Sequence, residues 1–234
     1  MALYAIGDLH LAGQTKVKAP MQRSSKVWKN HEKKLKDNCR RLIHPDDTLV
    51  LVGDHSWGRK LEECELDFQY IESLPGRKIL LRGNHDMFWE AKKTAKLNAM
   101  FAGKLEFLQG NFYTYKDYAL VGTKGYYYEG LDTPEHAASL VRREAGRLQI
   151  SFELARQAGF RKFIMFLHYP PTNIYERSSI FTKMAEMYGA EQVVYAHCHG
   201  KARFHDSIRG RKNGILYSLV SGDCLNWEPQ KILP

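Results

Sequence analysis

The sequence predicts one α/β domain, and two observations carry that reading. Short apolar runs, each closed by a glycine or a histidine, alternate with longer segments of helical periodicity. No repeat, low-complexity stretch or linker breaks the alternation over residues 1–234, a length that one domain fills with a substantial core. Helices are expected outside and sheets inside.

Leu3–Ile6 is the first predicted strand and Gly7 closes it. Ser24 or Ser25 caps a helix running to about Ile43, with Val27, Trp28, His31, Leu35, Cys39 and Leu42 on its apolar face. Lysines and arginines from Lys26 to Arg41 cover the rest, and His31 reads as packed. Thr48–Val52, closed by Gly53, is the second strand. The next helix runs from about Arg59 to Ser73, with Leu61, Cys64, Phe68 and Ile71 inward. Pro75-Gly76 turns the chain into Lys78–Leu81, closed by Gly83. A third helix spans about Met87 to Phe101. Leu105–Leu108, Phe112–Tyr115 and Tyr118–Val121 read as a meander turning at Gly110-Asn111 and Lys116-Asp117. A fourth helix covers about Pro134–Ala158, with Val141, Ala145, Leu148, Phe152 and Ala155 on one face and Gly159 ending it. Phe163–Leu167 and Gln192–Ala196 each end at a histidine, and a fifth helix lies between them at about Ile174–Tyr188. Ile215–Val220 and the segment before it form a second meander.

Bulk properties narrow the class. An apolar fraction of 44% is that of an ordinary folded protein. No apolar run approaches the ~18–20 residues a membrane span requires, and Met1 to Asp8 shows neither the basic start nor the long apolar stretch of an export signal. A cytoplasmic protein without a membrane partner is expected. Cys39, Cys64, Cys198 and Cys224 form no CxxC pair, so reduced thiols are expected. A net charge of +9 favours anionic partners such as phosphates or nucleic acid, or is simply a basic soluble surface.

The chemistry lies immediately after each buried strand. In order come Asp8-Leu9-His10, Gly53-Asp54, Gly83-Asn84-His85-Asp86, His168, and His197-Cys198-His199. In open α/β sheets, ligands bind beyond the carboxyl ends of the strands. Imidazole with carboxylate suits Mn, Fe, Zn or Ni, and the lack of a thiolate cluster argues against structural zinc. Asp8 and His10, two residues apart, share a side of an extended segment, as do His197 and His199. An aspartate such as Asp54 has two oxygens to bridge two metals, and such a pair clamps a phosphoryl group in in-line displacement.

At these residues the sequence resembles the calcineurin-like metallophosphoesterases, whose pattern is D-x-H, G-D, G-N-H-[DE], a lone H and G-H-x-H in that order. The blocks run from Asp8 to His199. GNHD alone arises by chance in about one chain in a thousand, so five ordered blocks exclude coincidence. The chain looks closest to the bacterial predicted-phosphohydrolase branch, which similarly carries G-D-x-S-W. The resemblance implies a four-layer sandwich, two mixed sheets face to face with helices on both sides. It implies a first metal on Asp8, His10 and His199, a second on Asn84, His168 and His197, and Asp54 between them. It also implies His85 as the catalytic histidine, contacting a phosphoryl oxygen or protonating the leaving group, with Asp86 beside it orienting that loop. The other reading of Asp86 is an N-cap for the next helix. Two departures stand out. Ala196 replaces the usual glycine before the last H-x-H. After Asp54, where related protein phosphatases read G-D-x-x-D-R-G, Trp57 and Gly58 stand in place of the second aspartate and the arginine.

Other residues keep two readings each. His55 either donates near the bridging aspartate or points away, and Trp57 walls the site or packs in the core. Arg59 reaches phosphate or is solvated. Lys124, within Gly122-Thr123-Lys124-Gly125, holds an anion beside Tyr126-Tyr127-Tyr128 or sits in a plain turn. His168-Tyr169-Pro170-Pro171 reads as a rigid loop with a cis peptide, and Ala12–Arg23 as a cationic rim or a surface loop. His44, His136 and His205 fall to the surface by default. The expected activity is hydrolysis of a phosphate ester by a hydroxide held between two metal ions. The expected substrate is a phosphorylated small molecule or nucleotide. A phosphodiesterase or nuclease is the alternative, and a non-enzymatic scaffold on the same fold ranks below it because His85 is present.

Overall fold

The computed structural model describes residues 1–14 and 26–234. The apolar runs become strands because both their faces are buried. In β1 (Leu3–Ile6), Leu3 and Ala5 face one apolar cluster while Tyr4 and Ile6 face another. β2 (Thr48–Val52) repeats this, with Val50 and Val52 against Leu49 and Leu51. A strand covered on both sides has no polar face to show, so it reads as a continuous apolar run.

β1, β2, β3 (Arg77–Leu81) and β4 (Glu106–Leu108) pair in parallel, and β11 (Gln230–Leu233) joins β1 antiparallel. The first sheet therefore has the order β11-β1-β2-β3-β4. The second has the order β5-β6-β7-β8-β10-β9, built from β5 (Phe112–Tyr115), β6 (Tyr118–Thr123), β7 (Lys162–Leu167), β8 (Ala190–Tyr195), β9 (Gly210–Lys212) and β10 (Ile215–Leu219). Its four central strands are parallel and its two edges antiparallel. Leu3, Val50, Leu81, Leu120, Phe166 and Val194 fill the space between the sheets.

Helices cover the outer faces. α1 (His31–Leu42), α2 (Glu65–Glu72) and α3 (Thr94–Met100) lie on the first sheet through Leu35, Cys39, Phe68, Ile71 and Leu97. α4 (Pro134–Gln157) and α5 (Ile180–Tyr188) lie on the second through Ala145, Leu148, Phe152, Phe181 and Ala185. This is the four-layer sandwich the resemblance implied. No helix among the described residues is long and apolar enough to cross a membrane, and all four cysteines are free.

Several expectations are corrected. Leu105–Leu108 does not open a meander: β4 pairs with β3 in the first sheet, whereas β5 and β6 form a hairpin in the second. Gly110-Asn111 is thus a crossing between sheets. Gln109 N–H donates to Asn111 Oδ1 and Asn111 Nδ2 donates to Phe107 O, which holds the chain in that crossing. Three helices start later than periodicity suggested. A 3-10 turn at Leu61–Cys64 precedes α2, and another at Ala91–Lys93 precedes α3. Before α5, Asn173 Oδ1 takes the N–H groups of Tyr175 and Glu176, and Ser179 caps the helix. The serines expected to cap α1, and residues 15–23 of the expected cationic rim, lie outside the described residues. No described peptide bond is cis, including those at Pro170 and Pro171. A short helix, α6 (Gly200–Asp206), was not foreseen.

Candidate active site

The carboxyl ends of the two sheets meet, and the five sequence blocks meet with them. Gly7 N–H donates to Val220 O, Asp8 N–H to Gly53 O, His10 N–H to Asp54 O, and Ala196 N–H to His168 O. Glycine is required where loops pass closest. A Cβ on Gly83 would stand 2.2 Å from Asp54 N, and one on Gly53, which has φ +85, would stand 2.3 Å from His168 Nδ1. Four of the expected ligands have left-handed backbones: Asp8 (φ 62), His10 (φ 45), Asp54 (φ 53) and His197 (φ 70). Each costs about 1–2 kcal/mol, strain that the rigid strand ends sustain and that turns these side chains toward one another.

Two donor groups result. Asp8, His10 and His199 form one, and Asp54, His168 and His197 the other, with the donor atoms of each group within 4.8 Å of one another. Asp54 Oδ2 lies between them, 3.6 Å from His10 Nε2 and 3.3 Å from His168 Nε2. Asn84 belongs to the second group, its Oδ1 lying 2.7 Å from His168 Nε2.

Hydrogen bonds around the rim set which nitrogen of each imidazole points inward. A carbonyl or carboxylate can only accept, so His168 Nδ1–H donates to Val52 O at 3.0 Å, His197 Nε2–H to Glu129 Oε1 at 3.1 Å, and His199 Nδ1–H to Asp223 Oδ1 at 3.0 Å. The remaining nitrogens face the two groups. Partners of this kind fix the tautomer of a metal-ligating histidine. Glu129 and Asp223 were missed by sequence reasoning. Asp223 had a signal, since Ser221-Gly222-Asp223 follows a buried strand as the other blocks do. Glu129 had none.

The electrostatics fit a cation. His168 Nε2 faces Asn84 Oδ1, Asp54 Oδ2 and His197 Nδ1, the last at 3.2 Å. Acceptors converging on one point demand positive charge there: a proton on His168, whose pKa Asp54 holds up at about 9 against burial, or a metal ion. His10 makes the same case differently. Burial, only partly offset by Asp54, lowers its pKa to about 3, so it is neutral, and neither buried ring nitrogen has a hydrogen-bond partner among the described residues. A dry imidazole without a partner costs about 1–3 kcal/mol, which a coordinated cation removes. The nitrogen and oxygen donors suit Mn, Fe, Zn or Ni, and Cys198 packs into the core instead.

His85 stands at the edge of this cluster. Its N–H donates to Asp54 Oδ1 at 2.7 Å, and its ring packs 4.4 Å from Trp57 and 5.5 Å from His10. Trp57 is half-buried and stacks on His10 at 4.8 Å, so it walls the site. The position that carries a carboxylate in the protein phosphatases here offers the histidine an aromatic face.

Asp86 does not face the cluster and caps no helix, so it is not a group that touches substrate. Its fully buried carboxylate accepts Gly83 N–H (2.7 Å), Asp54 N–H (3.1 Å), His55 N–H (2.8 Å) and His55 Nδ1–H (2.9 Å). It ties the loop after β2 to the loop after β3. His55 points away from the ligands into this pair. His31 is packed, bonded to Trp28 O and Leu9 O. Arg59 is exposed, and no contact among the described residues ties it to the site. His44, His136 and His205 lie on the surface. Lys124 is buried, and that burial lowers its pKa to about 8. A groove of about 480 Å³ lined by Leu61, Phe68, Met100 and Phe101 carries none of this chemistry.

Comparisons with known proteins agree with the geometry. The sequence profile described as calcineurin-like phosphoesterase matches residues 1–201. Among solved structures, the phosphopantetheinyl hydrolase of Mycobacterium tuberculosis superposes with a TM-score of 0.60 at 16% identity, covering 100% of this chain and 96% of that one. A protein of unknown function from Aquifex aeolicus gives 0.53 at 14% identity, covering 98% and 95%. A calcineurin-like phosphoesterase from Bacillus subtilis gives 0.52 at 14% identity, covering 95% and 82%. At such identities these structures share the fold. No curated protein matches the sequence.

Proposed function

The chain belongs to the calcineurin-like phosphoesterase family, and from that premise we propose that it hydrolyses a phosphate ester at a two-metal centre held by Asp8, His10, Asp54, Asn84, His168, His197 and His199. One observation carries this reading: Asp54 Oδ2 sits between the two donor groups, within 3.6 Å of a ligand nitrogen of each. Two cations bound there would supply Lewis acidity, lowering the pKa of water so that hydroxide is available near neutral pH and offering charge to the phosphoryl oxygens.

The chain's own residues do the rest. Glu129 and Asp223 hold His197 and His199 with their lone pairs inward. Asp86 keeps the loops bearing Asp54 and His85 in register. His85, tied through its backbone to Asp54, is placed to contact a phosphoryl oxygen or protonate the leaving group, a role worth ~10²–10⁴ in rate. Trp57 excludes water from one side of it. We read residues 1–234 as one catalytic domain, a reading that the pairing of β11 with the first strand supports. The substrate is a phosphorylated small molecule or nucleotide in the cytoplasm. The charge of +9 favours a diester or nucleic-acid substrate as a second reading.

The test is turnover of an aryl phosphate monoester and the matching diester by Mn-reconstituted protein, with elemental analysis of the protein as isolated. Asp54→Asn and His85→Ala should each lower kcat by about 10²-fold or more, the latter with metal content unchanged. Wild-type rates in both variants sink the assignment. The ratio of monoester to diester turnover decides the subclass.

A further inference from the structure

Beside the metal-ligand cluster lies a group that the hydrolytic reading does not use. Lys124 follows β6, and its carbonyl takes the N–H groups of His168 and Tyr169. Its side chain is only 8% exposed, yet its ammonium has no hydrogen bond or salt bridge among the described residues. It lies 5.0 Å from the Tyr169 ring centroid and 5.6 Å from that of Tyr126. The Tyr169 ring in turn lies 4.1 Å from the ring of His197. Lys124 is thus one aromatic ring away from a proposed metal ligand, and near enough to Asp54 to feel its charge.

The surroundings do not neutralise it. The acid that acts on it most strongly, Glu144, is fully buried and already occupied by Gln109 Nε2 at 3.0 Å, by Thr123 Oγ1 at 2.5 Å, by Arg147, and by Arg143 Nε at 3.6 Å. Arg82 and Arg143 are close enough to repel Lys124. Four cations therefore gather around one committed carboxylate. Arg82 immediately precedes Gly83-Asn84-His85, which fastens this group to the loop that carries the chemistry. The Lys124 stem is buried but its ammonium reaches solvent between two tyrosine rings, so an anion arriving from outside can pair with it, and the neighbouring like charges favour such an anion.

We propose that Lys124, with Arg82 and Arg143, forms a subsite for a second phosphate group of the substrate, one that is bound but not cleaved. This rests on the hydrolytic reading and narrows it: the substrate class is a compound with two phosphate groups, such as an alkyl bisphosphate or a nucleoside bisphosphate. Tyr169 separates the subsite from the metal ligands, so the anion held there is not the one undergoing attack.

Two measurements test this. The first is calorimetric titration of the full chain, kept in chelator, with inorganic phosphate. Wild type should bind, and Lys124→Met should bind about tenfold more weakly, the loss expected for one charge-assisted hydrogen bond. Equal affinity in the two proteins, or no binding by wild type, overturns the subsite. Met keeps the buried apolar stem of a lysine that has no ion pair among the described residues, so the variant should melt close to wild type. If it does not fold, Arg143→Gln, at an exposed position, carries the same test with a smaller expected loss. The second measurement compares hexane-1,6-diol bisphosphate with the monophosphate as substrates of Mn-loaded protein. The preference for the bisphosphate, as a ratio of kcat/KM values, should fall about tenfold in Lys124→Met. An unchanged ratio overturns the proposal. Absence of turnover on every ester counts against the hydrolytic reading, and the titration, which involves no metal or catalysis, still decides the subsite.

Discussion

Asp86→Asn is the substitution whose consequence the geometry defines most fully. The carboxylate accepts four N–H groups in a fully buried position, three from backbone and one from the His55 ring. Asparagine of the same shape has one oxygen and one NH2. The better orientation leaves the oxygen where Oδ2 stands, facing Gly83 N–H, Asp54 N–H and His55 Nδ1–H, and sets the NH2 against His55 N–H. One charge-assisted bond is lost, at about 1.5–3 kcal/mol, and one buried N–H is left without an acceptor, at about 1–3 kcal/mol. The sum is roughly 2.5–6 kcal/mol, which brackets the size seen when one partner of a buried ionic contact is removed. For a domain of this size each kcal/mol shifts Tm by about 2–4 °C, so a fall of roughly 10 °C is expected. Asp46→Asn, at a side chain 73% exposed, should shift Tm by no more than about 1 °C. The assay is a thermal melt of both variants beside wild type, with aryl phosphate turnover measured well below the transition. Turnover should fall too, because the loops carrying Asp54 and His85 lose their common anchor. A Tm change in Asp86→Asn no larger than that in Asp46→Asn refutes the reasoning.

The same contacts yield further expected outcomes. Asp223→Ala and Glu129→Gln should each weaken metal binding about 10–100-fold, because they orient His199 and His197 without touching the metal; equilibrium metal titration checks this, and unchanged affinity in both counts against the ligand assignment. Metal at a hundredfold excess over Kd should stabilise the fold by about 2.7 kcal/mol per site, so chelation should lower Tm reversibly and Mn should restore it. Asp47 accepts Ala2 N–H and His44 N–H. Burial opposes its ionisation, but these bonds and the N-terminal charge hold its carboxyl below the usual value. A depressed folded pKa contributes stability above the unfolded value near 3.9 and loses it as pH falls through the folded one. The Tm gap between wild type and Asp47→Asn should therefore be open at neutral pH and narrow below about pH 4; a gap independent of pH contradicts this.

How far the sequence reached depended on the range of the interactions concerned. Leu3–Ile6 and Thr48–Val52 were legible to the residue, because burial on both faces leaves an unbroken apolar run that glycine must close. The donor residues were legible for a related reason: each block lies directly after such a strand, so its position in the site follows from its position in the chain. Helix starts were less so, because a 3-10 turn and an α-helix share the same apolar residues until neighbouring side chains choose between them.

What the sequence by itself determined is the fold class and the donor residues that the structure gathers into two groups, since strand ends and donor types are local properties. What only the tertiary structure decided is everything set by partners distant in the chain. β4 and β5 go to different sheets because packing, and not the tight turn between them, selects their neighbours. Asp86 turns inward because two loops supply four N–H groups, three from backbone and one from the His55 ring. Glu129 and Asp223 become orienting residues because His197 and His199 are carried to them, and Lys124 becomes an unneutralised cation because Glu144 is already taken. Hydrogen bonds and charges act over a few ångströms of space, and which groups share those ångströms is settled when the two sheets close on each other.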